Sequence, residues 1–490
     1  MNIIDILKSV DLHDTSISRR QFFGQNAMGL GAAALASLVP NQILGAGLTT
    51  PGIPHFTPKA KRVIYISLVG APSQFETFDY KPGLRKEFNK DMKGFLIDSG
   101  QRLTGMTSGQ ARFPVAPAII DFKQHGESGT WVSDYLPHTA KMVDDICVIK
   151  SMHTDAINHT PANQLICTGS MQTGKASIGS WLSYGLGSLN KDLPTFCVLN
   201  AQSTSNAGVQ ALSASLWNSS FLPGKYSGVN LRSSGDPVLF LKDAPGINRK
   251  MRRSMLDGLS SLNQKTLETI GDPEIQTRIQ QYEMAYRMQM SVPELTDMSK
   301  ETDATYELYG PEAKKPGTFA SCALQARRLA ERGVRFTQIF HNGWDQHGNL
   351  PKDIKSQCGD IDQACYGLIQ DLKQRGMLED TLVICGGEFG RTAYSQGKLT
   401  ATNYGRDHHP RAFSLWIAGA GVKGGTVYGD TDKYSFNITT PDKAVHVRDL
   451  HATILERCGL DNHKLAYSYQ GLEQRLTGVE PAKVVRDILS

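Results

Sequence analysis

The 490-residue chain lacks most of what would set it apart from ordinary globular proteins. No run of about 20 uncharged apolar residues occurs, which excludes a multi-span membrane protein. No internal repeat or low-complexity tract is present, which closes the solenoid option. Charge of one sign is not in large excess. Lys+Arg number 52 against 47 Asp+Glu, a net charge of +5, and no basic block is interleaved with aromatics, so nucleic acid is not an expected partner. Cysteine is sparse, with eight residues and no CxxC pair. That excludes a disulfide scaffold, a zinc ribbon and a thioredoxin-type site. Buried thiols are expected instead, with room for one disulfide in an oxidising compartment. What is present is 40% hydrophobic and 20% charged, enough apolar side chain for a large core and too much for dominant disorder.

The first 50 residues read as an address. Ser18-Arg19-Arg20-Gln21-Phe22-Phe23 precedes Ala27–Val39, thirteen small or apolar uncharged residues. A paired-arginine leader before a run too short to span a bilayer is the pattern of a twin-arginine export signal. The expectation is delivery through the twin-arginine machinery to the periplasm or the extracellular space, with no stable membrane span. Residues 51–490 are expected to form one domain.

Short apolar runs alternate with helical stretches, the signature of an α/β fold with a large, mostly parallel sheet between helices. The best strands are Val63–Val69, Ile146–Lys150, Thr195–Leu199, Val334–Phe340, Thr381–Cys385 and Phe413–Ile417. Most are continuously apolar, as strands covered on both faces must be. Residues 243–313 are polar and helix-rich, an insertion over the sheet. A helix over Thr318–Arg332 leads into a strand.

Polar clusters follow the strands, where open α/β sheets bind ligands. Asp345 and His347 in HNGWDQHG can face one side of an extended segment and offer an oxygen and a nitrogen to Zn²⁺, Mn²⁺ or Fe²⁺. Glu388 follows two glycines at a strand tip, and Arg391 carries a fork suited to a tetrahedral anion. His408 and His409 are adjacent, so one can ligate while the other points elsewhere. His153 and His159 flank a helix start at Thr160-Pro161, with Thr160 as its cap. Backbone N–H groups there suit an oxyanion. Carboxylates at 345, 388 and 407 with histidines at 153, 159, 347, 408 and 409 together suggest a metal-centred hydrolytic site.

The ordered motifs LVGAPSQFETFDYKP, SMHTDAINHTPANQLICTGS, GWDQHGN, GGEFGRT, GRDHHP and VRDLHATIL resemble an exported family, domain of unknown function 1501, over about Lys61–Gly478. That family is grouped with the alkaline phosphatase/sulfatase superfamily. The resemblance implies an alkaline phosphatase-like fold with a metal at the strand ends. Asp345, His347, Glu388 and His408 or His409 follow the superfamily's order of ligands. Three departures stand out. His159 occupies the position of a sulfatase nucleophilic cysteine, and Asn163 that of the following arginine. Where many members place a metal-binding Asp after the first strand, Gly70-Ala71-Pro72-Ser73-Gln74 stands, with Glu76 or Asp79 as the nearest substitutes.

These readings lead to an expected exported, metal-dependent hydrolase of phosphate or sulfate esters, small-molecule or polysaccharide. Asp345, His347, Glu388, His408 and His409 are its candidate ligands, and zinc is the first choice ahead of manganese, iron, magnesium or calcium. His153, His159, Thr160 and Arg391 are candidate catalytic groups, with water preferred as nucleophile over Thr160 or His159. The rival is a non-catalytic binding protein for sulfated or phosphorylated glycans.

Overall fold

The computed structural model describes residues 52–490 apart from 101–102, 206–209, 211, 234–236, 239–242 and 244–245. The expected export signal lies outside the described residues. Among these, the central sheet has nine strands. We number them β1 (Arg62–Leu68), β2 (Ile146–His153), β3 (Phe196–Ala201), β4 (Val229–Leu231), β5 (Phe336–His341), β6 (Thr381–Gly386), β7 (Phe413–Ala418), β8 (Thr426–Tyr428) and β9 (Val445–His446). Their order is β8-β2-β7-β6-β1-β5-β3-β4, with β9 also on the free edge of β2. Only β7 runs against its neighbours, both β2 and β6. The remaining pairings are parallel. Thus β1, β2, β5 and β6 all end at the same edge of the sheet.

The continuous apolar runs follow from burial on both faces. Alternation sends Ile64, Ile66 and Leu68 of β1 into one core and Val63 and Tyr65 into the other. The first core is closed by the helices Phe319–Glu331 and Leu350–Gln374. The second is closed by α1 (His159–Thr168), α2 (Ile178–Leu186) and α3 (Val447–Arg457). The result is a helix–sheet–helix sandwich. All eight cysteines are buried and unpaired.

Between 243 and 313 the main feature is a pair of helices, Arg249–Ile270 and Pro273–Thr296. The break between them is written in the sequence. Gly271 ends the first helix in a left-handed conformation, and Asp272 caps the second, which opens on Pro273. Among the described residues, no helix is long and apolar enough to cross a membrane.

One local expectation changes. Helix α1 begins at His159, so its N-cap is Asn158, in extended conformation, rather than Thr160. The backbone bond from Ala162 N–H to the Asn158 carbonyl fixes that start. The segment after Glu388 forms a β-hairpin, pairing Gly390–Gln396 with Gly405–His409. Its strands are polar yet almost wholly buried, so no apolar alternation announces them. Most of their polar groups are satisfied internally, His409 Nδ1 being an exception. Arg406 pairs with Glu76 at 2.6 Å and donates to the Thr392 carbonyl.

Helix α3 is tied to α1 by His451, fully buried, whose Nε2–H donates to the Ile166 carbonyl at 2.8 Å. Burial is the main reason that its pKa is pushed down to about 4; the bond to the carbonyl works weakly the other way. An unfolded histidine titrates near 6.5. The neutral ring's contribution is therefore complete above pH 6.5 and is lost as pH falls toward 4, at up to about 1.4 kcal/mol per unit. Urea unfolding of wild type and His451→Gln should show a stability gap at pH 7.5 that narrows by pH 5. An unchanged gap would contradict this account of the ring.

Candidate metal centre

The strand ends supply the site. After β1 the chain turns through Gly70 and Ala71, after β5 it reaches Asp345 and His347, and after β6 it reaches Glu388. The loop after β2 leads into α1 and His159, and the hairpin brings Arg391 and His408 to the same edge. Close approach of these loops requires glycine at 70. Its φ is +107°, and a Cβ there would lie 2.6 Å from the Asp345 nitrogen.

The centre of the arrangement is Asp345 Oδ1. The Nε2 atoms of His347, His159 and His408 stand 2.8, 3.0 and 3.4 Å from it. His347 and His408 Nε2 are 3.1 Å apart. One candidate ligand atom from each of the four residues lies within 4.8 Å of all the others. The other nitrogen of each ring faces an oxygen. His159 Nδ1 is 2.6 Å from Glu388 Oε1, His408 Nδ1 is 2.7 Å from the Ile157 carbonyl, and His347 Nδ1 meets Gln396 Oε1. In neutral rings, each Nδ1 then carries the proton, and three Nε2 lone pairs converge on a carboxylate oxygen. In that tautomer the convergence is repulsive unless a cation occupies it, whereas a ring that also carries a proton on Nε2 donates to Asp345; oxygen partners behind ligating histidines are how proteins fix the metal-binding tautomer. His159 Nε2 is buried and faces Asp345 Oδ1 at 3.0 Å. Three imidazoles and a carboxylate fit a zinc-like ion better than magnesium or calcium, which favour all-oxygen sites.

The titration behaviour follows from the same contacts. Burial is the largest influence on Asp345 and acts to raise its pKa. The bonds with His159, His347 and His408, together with Arg391, outweigh burial and hold the carboxyl far below the usual range. Burial first, then the Arg391 charge and the neighbouring histidines, push His408 down to about 4, so it is neutral at pH 7. For His159, burial acts to lower the pKa, but the bonds to Asp345 and Glu388 prevail and raise it.

A family model described as "protein of unknown function (DUF1501)" matches residues 60–489. The chain belongs to the DUF1501 family. No curated protein matches its sequence. Solved structures similar to it include the PsFucS1 sulfatase from Pseudoalteromonas sp., at 12% identity over 81% of this chain and 68% of that one, TM-score 0.32. A phosphonate monoester hydrolase from Silicibacter pomeroyi matches at 11% identity over 72% and 71%, TM-score 0.30. An alkaline phosphatase from the Antarctic bacterium TAB5 matches at 13% identity over 74% and 92%, TM-score 0.26. At these scores the likenesses decide nothing about this protein, and its reading rests on the family match and the site.

In this DUF1501 protein, Asp345, His347 and His408 come together as a cluster, and His159 joins them. Glu388 stands behind His159. Its carboxylate accepts from Gly70 N–H at 3.0 Å, Ala71 N–H at 3.2 Å and Asn163 Nδ2 at 3.4 Å, so it sets the His159 ring instead of entering the cluster. Arg391, 1% exposed, donates to the carbonyls of Gly70, Ala71 and Arg406 and to Asp345 Oδ1 at 2.8 Å. Its fork is occupied in orienting Asp345. His409 points to the opposite side of its strand, 2.7 Å from the Phe436 carbonyl. His153 packs edge-on against His446 with centroids 5.0 Å apart, outside the four-residue group. Asp407 sits at a register shift in the hairpin and accepts from Thr104 and Thr107. Thr160 is exposed on the first turn of α1. Glu76 and Asp79 are engaged by Arg406 and by Lys81, Thr431 and Ser435. The supporting oxygens of Ile157 and Gln396 carry no sequence signal, because one is backbone and the other an ordinary amide.

Metal retained after dialysis, measured by plasma mass spectrometry, separates these roles. His408→Gln should lose the ion and His409→Gln should keep it. Glu388→Gln should keep the site with roughly 10- to 100-fold weaker affinity. Loss in His409→Gln as complete as in His408→Gln would overturn the assignment.

Proposed function

We propose that this DUF1501 protein is an exported, metal-dependent hydrolase of phosphate or sulfate esters. One observation carries the reading. Three histidine Nε2 atoms meet a single carboxylate oxygen, and each ring is held from behind by an oxygen. His159, Asp345, His347 and His408 would hold the ion, and zinc is our choice from the donor set. When bound, it would supply Lewis-acid polarisation of the ester and acidify a water.

The chain's own residues do the rest. Arg391 keeps Asp345 ionised and fixed in direction. Glu388 holds a proton at His159 Nδ1, and the Ile157 carbonyl does the same at His408 Nδ1, so neither ring can turn. The His347 side chain is 24% exposed against 6–10% for the other three, so substrate approaches from its side. With His159 Nε2 directed into the cluster, water is the nucleophile, and the exposed Thr160 hydroxyl is the alternative. The order of motifs shared with the alkaline phosphatase/sulfatase superfamily supports the ester class. The paired-arginine leader supports export by the twin-arginine route to the periplasm or beyond.

A second reading, a non-catalytic binder of sulfated or phosphorylated glycans, is favoured by one feature. Asn163 stands where sulfatases carry arginine, and Arg391 is occupied by carbonyl oxygens and Asp345.

The deciding experiment uses full-length protein from the exported fraction, its metal content and a panel of aryl phosphate and sulfate esters. We expect close to one equivalent of transition metal and turnover of at least one ester. In Asp345→Ala the metal should be lost, and turnover should fall at least ~100-fold, or about 2.7 kcal/mol of transition-state stabilisation. Metal binding without turnover on any ester would move the assignment to the binding protein.

A further inference from the structure

The geometry points to Gln210 as a positioning residue that makes Asp345 present a single oxygen to the metal. This rests on reading the four-residue cluster as a metal centre. Asp345 has two carboxylate oxygens, and a carboxylate beside a divalent ion can bind through one or both. Here the two are treated differently. Oδ1 faces the three imidazoles, whereas Oδ2 accepts a hydrogen bond from Gln210 Nε2 at 3.0 Å. A carboxamide N–H on Oδ2 competes with a second metal bond and fixes the carboxylate's rotation about its Cβ–Cγ bond.

Gln210 reaches that position because its own backbone is bonded to the loop after β5. Its backbone carbonyl accepts from Asn342 Nδ2 at 3.2 Å. The Asn342 carbonyl in turn accepts from the fully buried Gln357 at 3.0 Å, whose Nε2 also reaches Ser203 Oγ at 3.2 Å. Gly343 makes room for this stitch. Its φ is +96°, and an added Cβ would stand 2.6 Å from Gln357 Nε2 and 3.1 Å from both Ser203 Oγ and the Ser205 carbonyl. The amides of Asn342 and Gln357 thus place the third amide, Gln210, on Asp345. Arg391 holds the Oδ1 side at 2.8 Å. Between Arg391 and Gln210 the carboxylate has one orientation.

The test is cobalt(II) titration of the full-length protein after its native metal is removed, comparing wild type with Gln210→Leu and Gln210→Glu. Affinity is read by competition with a chelator, and ligand number from the visible absorption of the bound ion. Gln210→Leu should weaken cobalt affinity roughly 10- to 100-fold, the range for loss of a group behind a metal ligand. It should also weaken the visible bands as Asp345 turns to bind through both oxygens. Gln210→Glu places a second carboxylate beside the first and should alter the spectrum as well. A Gln210→Leu protein with wild-type affinity and wild-type spectrum overturns the role of Gln210 and leaves the metal centre intact. Wild-type protein that takes up no cobalt overturns the metal centre itself, and this inference with it.

Discussion

The site depends on one electrostatic problem, the meeting of three imidazole Nε2 atoms at Asp345 Oδ1. Burial removes water from around the four side chains, so their mutual repulsion is poorly screened. A cation at the centre, or a proton on a ring Nε2, makes the arrangement favourable, and the surrounding groups fix the rings to receive it. Glu388, the Ile157 carbonyl and Gln396 hold the far side of the rings, while Arg391 holds the carboxylate. Unfolding would release each of these groups to water, where nothing would keep the lone pairs together.

That convergence in turn depends on the sheet. The ends of β1, β2, β5 and β6 share one edge because those strands are parallel. The loops after three of them deliver Gly70, Asp345 and Glu388, and the loop after β2 leads into His159. The antiparallel β7 has the opposite consequence. Because it runs the other way, the segment before it, not after it, lies at that edge, which is how the hairpin brings Arg391 and His408 to the cluster. Gly70 lets the backbone of the first loop lie against Asp345, so the site is compact enough for one ion.

Much of this was legible in the chain. The six apolar runs correspond to β1, β2, β3, β5, β6 and β7 within a few residues, since strands covered on both faces must be apolar throughout. The reading of residues 243–313 as a helix-rich insertion passed over the break at Gly271-Asp272-Pro273, although those residues suit a helix stop and start for reasons of backbone geometry alone. The hairpin Gly390–His409 was not legible. Its buried residues are polar and largely bonded to one another and to neighbouring loops, so burial left no alternation of apolar and polar side chains. The cap of α1 was misplaced for a related reason: Thr160-Pro161 is the stronger local signal, but packing starts the helix at His159.

For the site, sequence by itself determined the chemical inventory: carboxylates and histidines after strands, in an order matching DUF1501. Ligand-forming side chains recur in recognisable motifs such as GWDQHGN and GRDHHP, so their identity survives in one dimension. Which of them meet was decided by tertiary structure alone. His408 and His409 are adjacent in the chain, yet strand alternation sends one to the cluster and the other to the Phe436 carbonyl. Glu388 and Arg391 have the chemistry of a ligand and an anion clamp, but the backbone N–H and carbonyl groups of residues 70 and 71 engage both. Such groups exist in every residue, and only the fold determines where they point.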